Sequence, residues 1–352
     1  MSDSDNEKKI KLSTLVYAML TVLFVIIAII STLAYGTNTE IGKRIYLKIS
    51  KIVPIPAAVI GWNDFVLLSD VRSNLASVEK FYKVNDFSQE GLRVDFSTES
   101  GKKRLKIKER EILEKLIEDK VIKILAQKRG ISISEKDIDK MVENKLEELG
   151  TASDLEKDLA NTYGWNMEDF KKNVVIPTAY KDALMQYVLL GELDNSSAKE
   201  KANEARKELE SGKDFAEVVD KFSEGDSKKK GGELGWVKKE QMIQELQEAL
   251  FDEERYGNNE VIESSIGFHI VRIEEKKKEG EESVLRLKQI FVAKKTFADW
   301  LKDSKKSISI LIPLKDFRWN SDRAVVEFRS EKMQKFEAEE RLKAQGDASI
   351  MF

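Results

Sequence analysis

The chain has 352 residues, 41% of them hydrophobic, which is more than one hydrophobic core usually serves, so two folded units and a tail are expected. Lys and Arg (60) nearly balance Asp and Glu (63), leaving no field that would recruit nucleic acid, and the absence of cysteine removes disulfides, thiolate nucleophiles and cysteine metal sites. A single histidine excludes His-rich metal sites and any two-histidine relay.

Residues 1–14 are short and polar and read as a disordered cytoplasmic tail. Leu15 to Tyr35 follow with no charged residue, and at about 1.5 Å per residue the stretch spans a hydrocarbon core of roughly 30 Å. A cleaved signal peptide is the rival reading, since Ala34-Tyr35-Gly36 resembles a cleavage site, but its apolar region is normally shorter. The length of the stretch therefore favours an uncleaved anchor, and Lys8, Lys9 and Lys11 before the span, with Lys43 and Arg44 further beyond it, put the N-terminus in the cytoplasm and the bulk of the chain outside the cell membrane.

From Pro54 the pattern is a short apolar strand at Ala57 to Ile60, a turn at Gly61, and an amphipathic helix opening near Asn63 or Ser69. After a polar stretch, a long helix over about Lys106 to Lys128 carries Leu113, Leu116, Ile117, Val121, Ile124 and Leu125 on one face, and Gly130 ends it. Ser134 with Asp137, and Ser153 with Glu156, have the spacing of N-cap and N3 pairs and predict helices over 135–149 and 154–163. Another begins after Asn166, bends near Pro177 and runs to Leu190. No catalytic constellation lies in this helical region, 54–192.

A second module, 195–294, reads as helix, short helix, glycine-rich loop, helix and two strands. Ser196 or Ser197 opens the first helix, Phe215 to Phe222 form the second, and Gly231-Gly232 permit a tight loop. Met242, Leu246, Leu250 and Phe251 share a helical face, and Glu260 to Ser264 and Gly267 to Ile273 have strand character. Beyond it, residues 295–344 are expected to form an extension packing on that module's sheet: a helix at Phe297 to Lys305, strands at Ser307 to Leu314 and Ala324 to Phe328, a turn around Trp319 and a charged helix over about 330–344. Residues 345–352 read as a disordered end.

The strings AAVIGWNDF, EREILEKLIEDKVIKILAQKRGISISEKDID and GWNMEDFK resemble the N-terminal chaperone region of the SurA/PrsA family of extracytoplasmic foldases. GKDFAEVVDKFSEG, GGELGW, QMIQELQEALF and SIGFHIVRIEE resemble, in order and spacing, the parvulin (PpiC-type) peptidyl-prolyl cis-trans isomerases. The resemblance implies an α+β chain: an N-terminal transmembrane helix, a SurA-N-like helical chaperone domain, and a parvulin-like domain whose small antiparallel sheet is surrounded by helices. It also implies rotation about Xaa-Pro bonds without cofactor or metal. By match to the family, Leu234, Met242, Leu246 and Phe251 would line or buttress a proline pocket, with Leu246 where phenylalanine is common. Periodicity alone would make these four ordinary core. His269 matches the family's histidine on the last strand, and Ser264, or less well Ser265, its serine or threonine. The family's cysteine or aspartate after Phe-Ser falls on Gly225, and Asp226 would serve only after a one-residue shift.

One parvulin feature is missing: LLGELDNSSAKEK offers no opening strand bearing His-Ile-Leu. SVLRLKQIFVA, Ser283 to Ala293, resembles that strand downstream, with Gln289-Ile290-Phe291-Val292 in its place, joined to the His269 strand by a polar hairpin. A circular permutation is the leading reading and an unrelated edge strand the alternative. Gln289 would then replace a histidine, keeping hydrogen bonding but losing titration. The expected function is isomerase and chaperone for exported polypeptides containing Xaa-Pro bonds, with membrane contact through residues 15–35. The alternative is a catalytically degenerate holdase or scaffold. No nucleophile, triad or metal set supports hydrolysis.

Overall fold

A computed structural model describes residues 54–85, 95–149, 151–251, 259–280 and 282–346, together with Thr21 and Thr32. The expected span 15–35 thus lies, save those two threonines, outside the described residues, as do both chain ends. Among the described residues no helix is long and apolar enough to cross a membrane.

In chain order the elements are β1 (Pro56–Ile60), β2 (Asp64–Leu67), α1 (Leu68–Val84), α2 (Glu99–Lys128), α3 (Glu135–Leu149), α4 (Ala152–Thr162), α5 (Met167–Phe170) and α6 (Ile176–Gly191). There follow α7 (Ser196–Glu210), α8 (Phe215–Phe222), β3 (Glu233–Lys238), α9 (Gln244–Phe251), β4 (Val261–Glu263), β5 (Gly267–Glu279) and β6 (Glu282–Ala293). The chain closes with α10 (Phe297–Lys306), β7 (Ile310–Leu311), β8 (Phe317–Asn320), β9 (Val325–Phe328) and α11 (Glu331–Gly346). Two units result: Met1–Leu184 with Lys302–Phe352, and Met185–Leu301.

In the first unit α2 is the axis. Its Leu113, Ile117, Val121 and Ile122 are fully buried, and it packs against α1, the β1–β2 hairpin, β9 and α11. Local caps set the helix starts. Ser134 and Asp137 bond reciprocally, and Asn166 with Asp169 forms a capping box. Thr151, not the expected Ser153, caps α4: its hydroxyl accepts from Asp154 N–H, which starts the helix two residues earlier. Near Pro177 the helix does not break: a π-helical turn at Lys171–Val175 absorbs the missing N–H. The carbonyl of Asn173, four residues before the proline, is instead 3.4 Å from Lys115 Nζ. Of the two expected helix openings, Asn63 and Ser69, the second is near the mark: Asp64 to Leu67 pair with β1 as β2, and α1 begins at Leu68.

The C-terminal extension departs most from expectation. Residues 302–352 group with the first unit. β7 pairs with β1 (Val59 with Leu311, Ile60 with Ile310), giving the order β2-β1-β7, and β8 and β9 form a separate hairpin against α2. Trp319 sits in β8, not at a turn, and pairs with Val326. Arg110 of α2 is 4% exposed, ion-paired with Glu114 and Glu337, and donates to the Val326 carbonyl at 3.2 Å. Removing its charge takes the cation from Glu114 and leaves Glu337 only Arg341, so Arg110→Ala and the uncharged but similarly long Arg110→Met are both expected to cost about 3 kcal/mol in urea unfolding. A Met variant as stable as the parent would refute the ionic account.

In the second unit a four-stranded antiparallel sheet has the order β3-β6-β5-β4. Alternate residues divide its faces. Ile270 and Ile290 meet Phe215, Val218, Val219 and Phe222 of α8, while Val271, Leu285, Leu287 and Ile262 meet Leu246, Ala249 and Leu250 of α9. The α9 face also carries His269, Gln289 and Phe291, two residues apart along each strand. Ser196 is not the cap of α7: its N–H donates to Asp194 Oδ1.

Candidate functional site

β5 and β6 form one long hairpin, with His269 opposite Phe291 and Val271 opposite Gln289. Gln289 is therefore diagonal to His269 on the same face, and its carboxamide nitrogen is 2.6 Å from His269 Nδ1. On the other side of the ring, Nε2 lies 2.7 Å from Ser264 Oγ. The tautomer is assigned from these partners: Ser264 gives its proton to the Gly267 carbonyl at 3.1 Å, so His269 Nε2–H donates to Ser264 and Nδ1 accepts from Gln289.

The turn bearing Ser264 is held from several sides. Ser264 Oγ accepts from the N–H groups of Ile266 and Gly267, and Lys294 Nζ donates to its carbonyl at 2.8 Å. Glu245 of α9 accepts from Ser265 N–H at 2.7 Å; backbone N–H groups, its own and that of Ser265, hold its carboxyl below the usual carboxylate range. His269 is 2% exposed. Burial pushes its pKa down from 6.5 to about 4, and the nearby Glu245 carboxylate only partly opposes this. A neutral imidazole at physiological pH is a hydrogen-bonding link between Gln289 and Ser264, not a proton store.

Below this network along the sheet lies the apolar cluster under α9. Leu246 is buried in it, and Met242 and Phe251 pack against it half-buried. Leu234 does not join the cluster: it sits at an irregularity in β3, between Glu233 and Gly235, and is 40% exposed. Residues 252–258, which continue from Phe251, lie outside the described residues.

One expected residue lies apart from this network. Asp226 is exposed at the start of a short 3₁₀ turn (Asp226–Lys230), and among the described residues no hydrogen bond joins it to the His269 network. Gly225 is the residue at the site: a Cβ there would sit 3.4 Å from Phe291 Cβ. Sequence reasoning also missed the work of Ser223 and Glu224. β3 ends its pairing at Lys288, so the outer edge of β6 beyond it needs partners. Ser223 Oγ accepts from Phe291 N–H, Glu224 N–H donates to the Phe291 carbonyl at 2.7 Å, and Glu224 Oε2 accepts from Ala293 N–H. Paired with Lys201, Glu224 closes that edge. The signal was present in the residues after Phe222, since a buried Ser before a charged Glu at a helix end commonly serves backbone groups.

Residues 185–275 match the family model for the PPIC-type PPIase (rotamase) domain, so the second unit carries a PPIC-type peptidyl-prolyl isomerase domain. Among named relatives, the chain is 29% identical over 178 residues to the foldase protein PrsA of Staphylococcus aureus strains Newman, JH1 and Mu3. Each alignment covers 43% of this chain and 55% of the relative, so the chain spans about half the length of the curated relatives it matches.

Proposed function

We propose that the chain is a membrane-anchored extracytoplasmic foldase whose second unit isomerises Xaa-Pro bonds in exported polypeptides and whose first unit, with the SurA-N-like helices of 54–192, holds client chains. The observation that carries the reading is the Gln289–His269–Ser264 chain of hydrogen bonds beside the apolar cluster of Met242 and Leu246. An Xaa-Pro amide crosses a barrier of roughly 18–20 kcal/mol by twisting out of resonance. The twisted amide is less dipolar than the planar one, so an apolar surround that grips the proline ring favours it, while fixed donors at its edge tune the carbonyl. No covalent step or titrating group is required.

In this reading β6 is the parvulin opening strand moved to the far end of the module. Support comes from its central position and from the Gln289 contact with the histidine. Residues 15–35 would anchor the chain. The degenerate-holdase reading also has specific support: Gly225 where the family has a polar side chain, and Leu246 only 6% exposed, leaving little of it free to meet a proline ring.

A cis-to-trans assay on Xaa-Pro peptides with the full chain separates the two. Gln289→Leu removes one hydrogen bond of about 1–1.5 kcal/mol and is expected to lower kcat/KM about tenfold. Asp226→Ala is expected to stay within about twofold of the parent, since surface substitutions away from a site do little. Rates equal to buffer, with suppression of client aggregation preserved, would leave only the holdase.

A further inference from the structure

Phe291 is enclosed in a way the proposed isomerase chemistry does not use. Its ring lies against His269 with centroids 4.9 Å apart and planes tilted by 40°. On one flank is Gly225, where a Cβ would be 3.4 Å from Phe291 Cβ and 3.5 Å from Cδ1. On the other is Gly267, where a Cβ would be 2.5 Å from Cε2 and 2.9 Å from Cζ. Two glycines thus leave room for one large ring, and the ring remains half-exposed at the surface.

Position along the sheet says what the ring meets. On the α9 face of β6 the order is Leu285, Leu287, Gln289, Phe291, and on β5 it is Val271, His269, Gly267 in the opposite chain direction. Leu285, Leu287 and Val271 lie under α9 with Met242 and Leu246, the end where the proposed function seats the proline. Gln289 and His269 come next, and Phe291 lies beyond them. A bound Xaa-Pro segment with its proline at the α9 end and its amide at Gln289 directs the Xaa side, across the amide, toward Phe291. Two cations beside this end are already matched: Lys294 with Glu263 at 2.7 Å, and Lys201 with Glu224 at 2.5 Å.

We infer that Phe291, seated between Gly225 and Gly267, is a specificity-determining residue that forms an apolar wall for the side chain preceding proline, so that the site takes Leu-Pro or Phe-Pro bonds in preference to Glu-Pro or phosphoserine-Pro bonds. The inference rests on the isomerase reading for its geometry, and its test is arranged to separate the two. Tetrapeptides differing only at Xaa (Leu, Phe, Ala, Glu, phosphoserine) are assayed for isomerisation by the full chain and titrated for binding by fluorescence. An apolar wall is expected to give an about tenfold preference for Leu over Glu in kcat/KM and in Kd, the range one side chain commands in a hydrophobic site. Phe291→Leu is expected to shrink that ratio at least threefold, mainly through KM. Gly225→Ala, whose backbone φ of −81° suits alanine and whose Cβ would meet the ring at ordinary contact distance, is the control and is expected to leave the Leu-to-Glu ratio within about twofold. If no peptide is isomerised but Leu-Pro binds tighter than Glu-Pro and Phe291→Leu abolishes the difference, the wall stands and the isomerase reading falls. Isomerisation with no Xaa preference, a preference for phosphoserine, or a ratio unchanged in well-folded Phe291→Leu overturns the wall. Binding of no peptide overturns both.

Discussion

Gly267→Ala is expected to destabilise the second unit by about 3 kcal/mol or more, lowering its thermal midpoint by roughly 10 °C or more. The position is tight in two directions. A Cβ there would lie 2.4 Å from the Val292 carbonyl oxygen and 2.5 Å from Phe291 Cε2. The oxygen belongs to the paired strand, so relief requires β5 and β6 to part where Ser264 Oγ receives the Gly267 N–H and Ser264 N–H donates to the Gly267 carbonyl. Overpacking next to such a ladder therefore breaks hydrogen bonds as well as contacts. Gly280→Ala, at the tip of the same hairpin, is the control. Its φ of +67° strains an alanine, but nothing lies within 4 Å of the new Cβ, so about 1 kcal/mol is expected. Differential unfolding of the full chain compares the two, and equal losses would remove the steric argument.

Acid is expected to weaken the second unit well before its carboxylates protonate. His269 has a folded-state pKa of about 4 against an ordinary 6.5, because burial disfavours the imidazolium. The folded state therefore binds fewer protons than the unfolded chain between about pH 4 and 6.5. Stability linked to this residue is fully present above pH 6.5, declines as pH falls through that window, and is lost below about pH 4, a difference of roughly 3 kcal/mol. Facing the ring, Glu245 from α9 moderates the effect, and Gln289 and Ser264 do not titrate. Urea midpoints at pH 7.5 and 5.0 check the sign. His269→Gln is expected to be less stable at pH 7.5 but to lose less on acidification. An unchanged slope in that variant would show that other groups carry the pH dependence. Isomerisation, by contrast, is expected to be flat from pH 6.5 to 8, because His269 is neutral throughout.

What the residues disclosed in advance depended on how local the cause was. Ser134 with Asp137 and Asn166 with Asp169 are complete within one turn, so those helix starts were readable. That His269 and Gln289 share a face was also readable, because strand alternation puts them there once the hairpin is granted, whereas Ser264 lies in the turn before β5. β3 was not read as a strand. Glu233-Leu234-Gly235-Trp236 carries a glycine and an irregular register, and it gains its ladder only from β6, fifty residues later. The turn after Phe222 is fixed by Ser223 and Glu224 bonding to β6, which leaves Gly225 facing Phe291 and Asp226 exposed, a long-range cause that no local pattern carries. The destination of the C-terminal extension was the least legible. β7 is two residues long, and its partner β1 lies some 250 positions earlier, a pairing with no local signature.

The order β3-β6-β5-β4 has a consequence for how the chain is made. Synthesis delivers residues from the N-terminus, and β4 can pair with β5 as soon as both emerge. β3 has no neighbour until β6 arrives, and β6 is the sheet's last strand in the chain. Until residue 293 is out, Leu285 and Leu287 are absent from the core under α9, and the hydroxyl of Ser223 and N–H of Glu224 have no strand to meet. The first unit waits longer still, for residues 310–328 and α11. The second unit is therefore expected to close only after residue 293 and the first only after α11, each leaving a half-built sheet exposed until then.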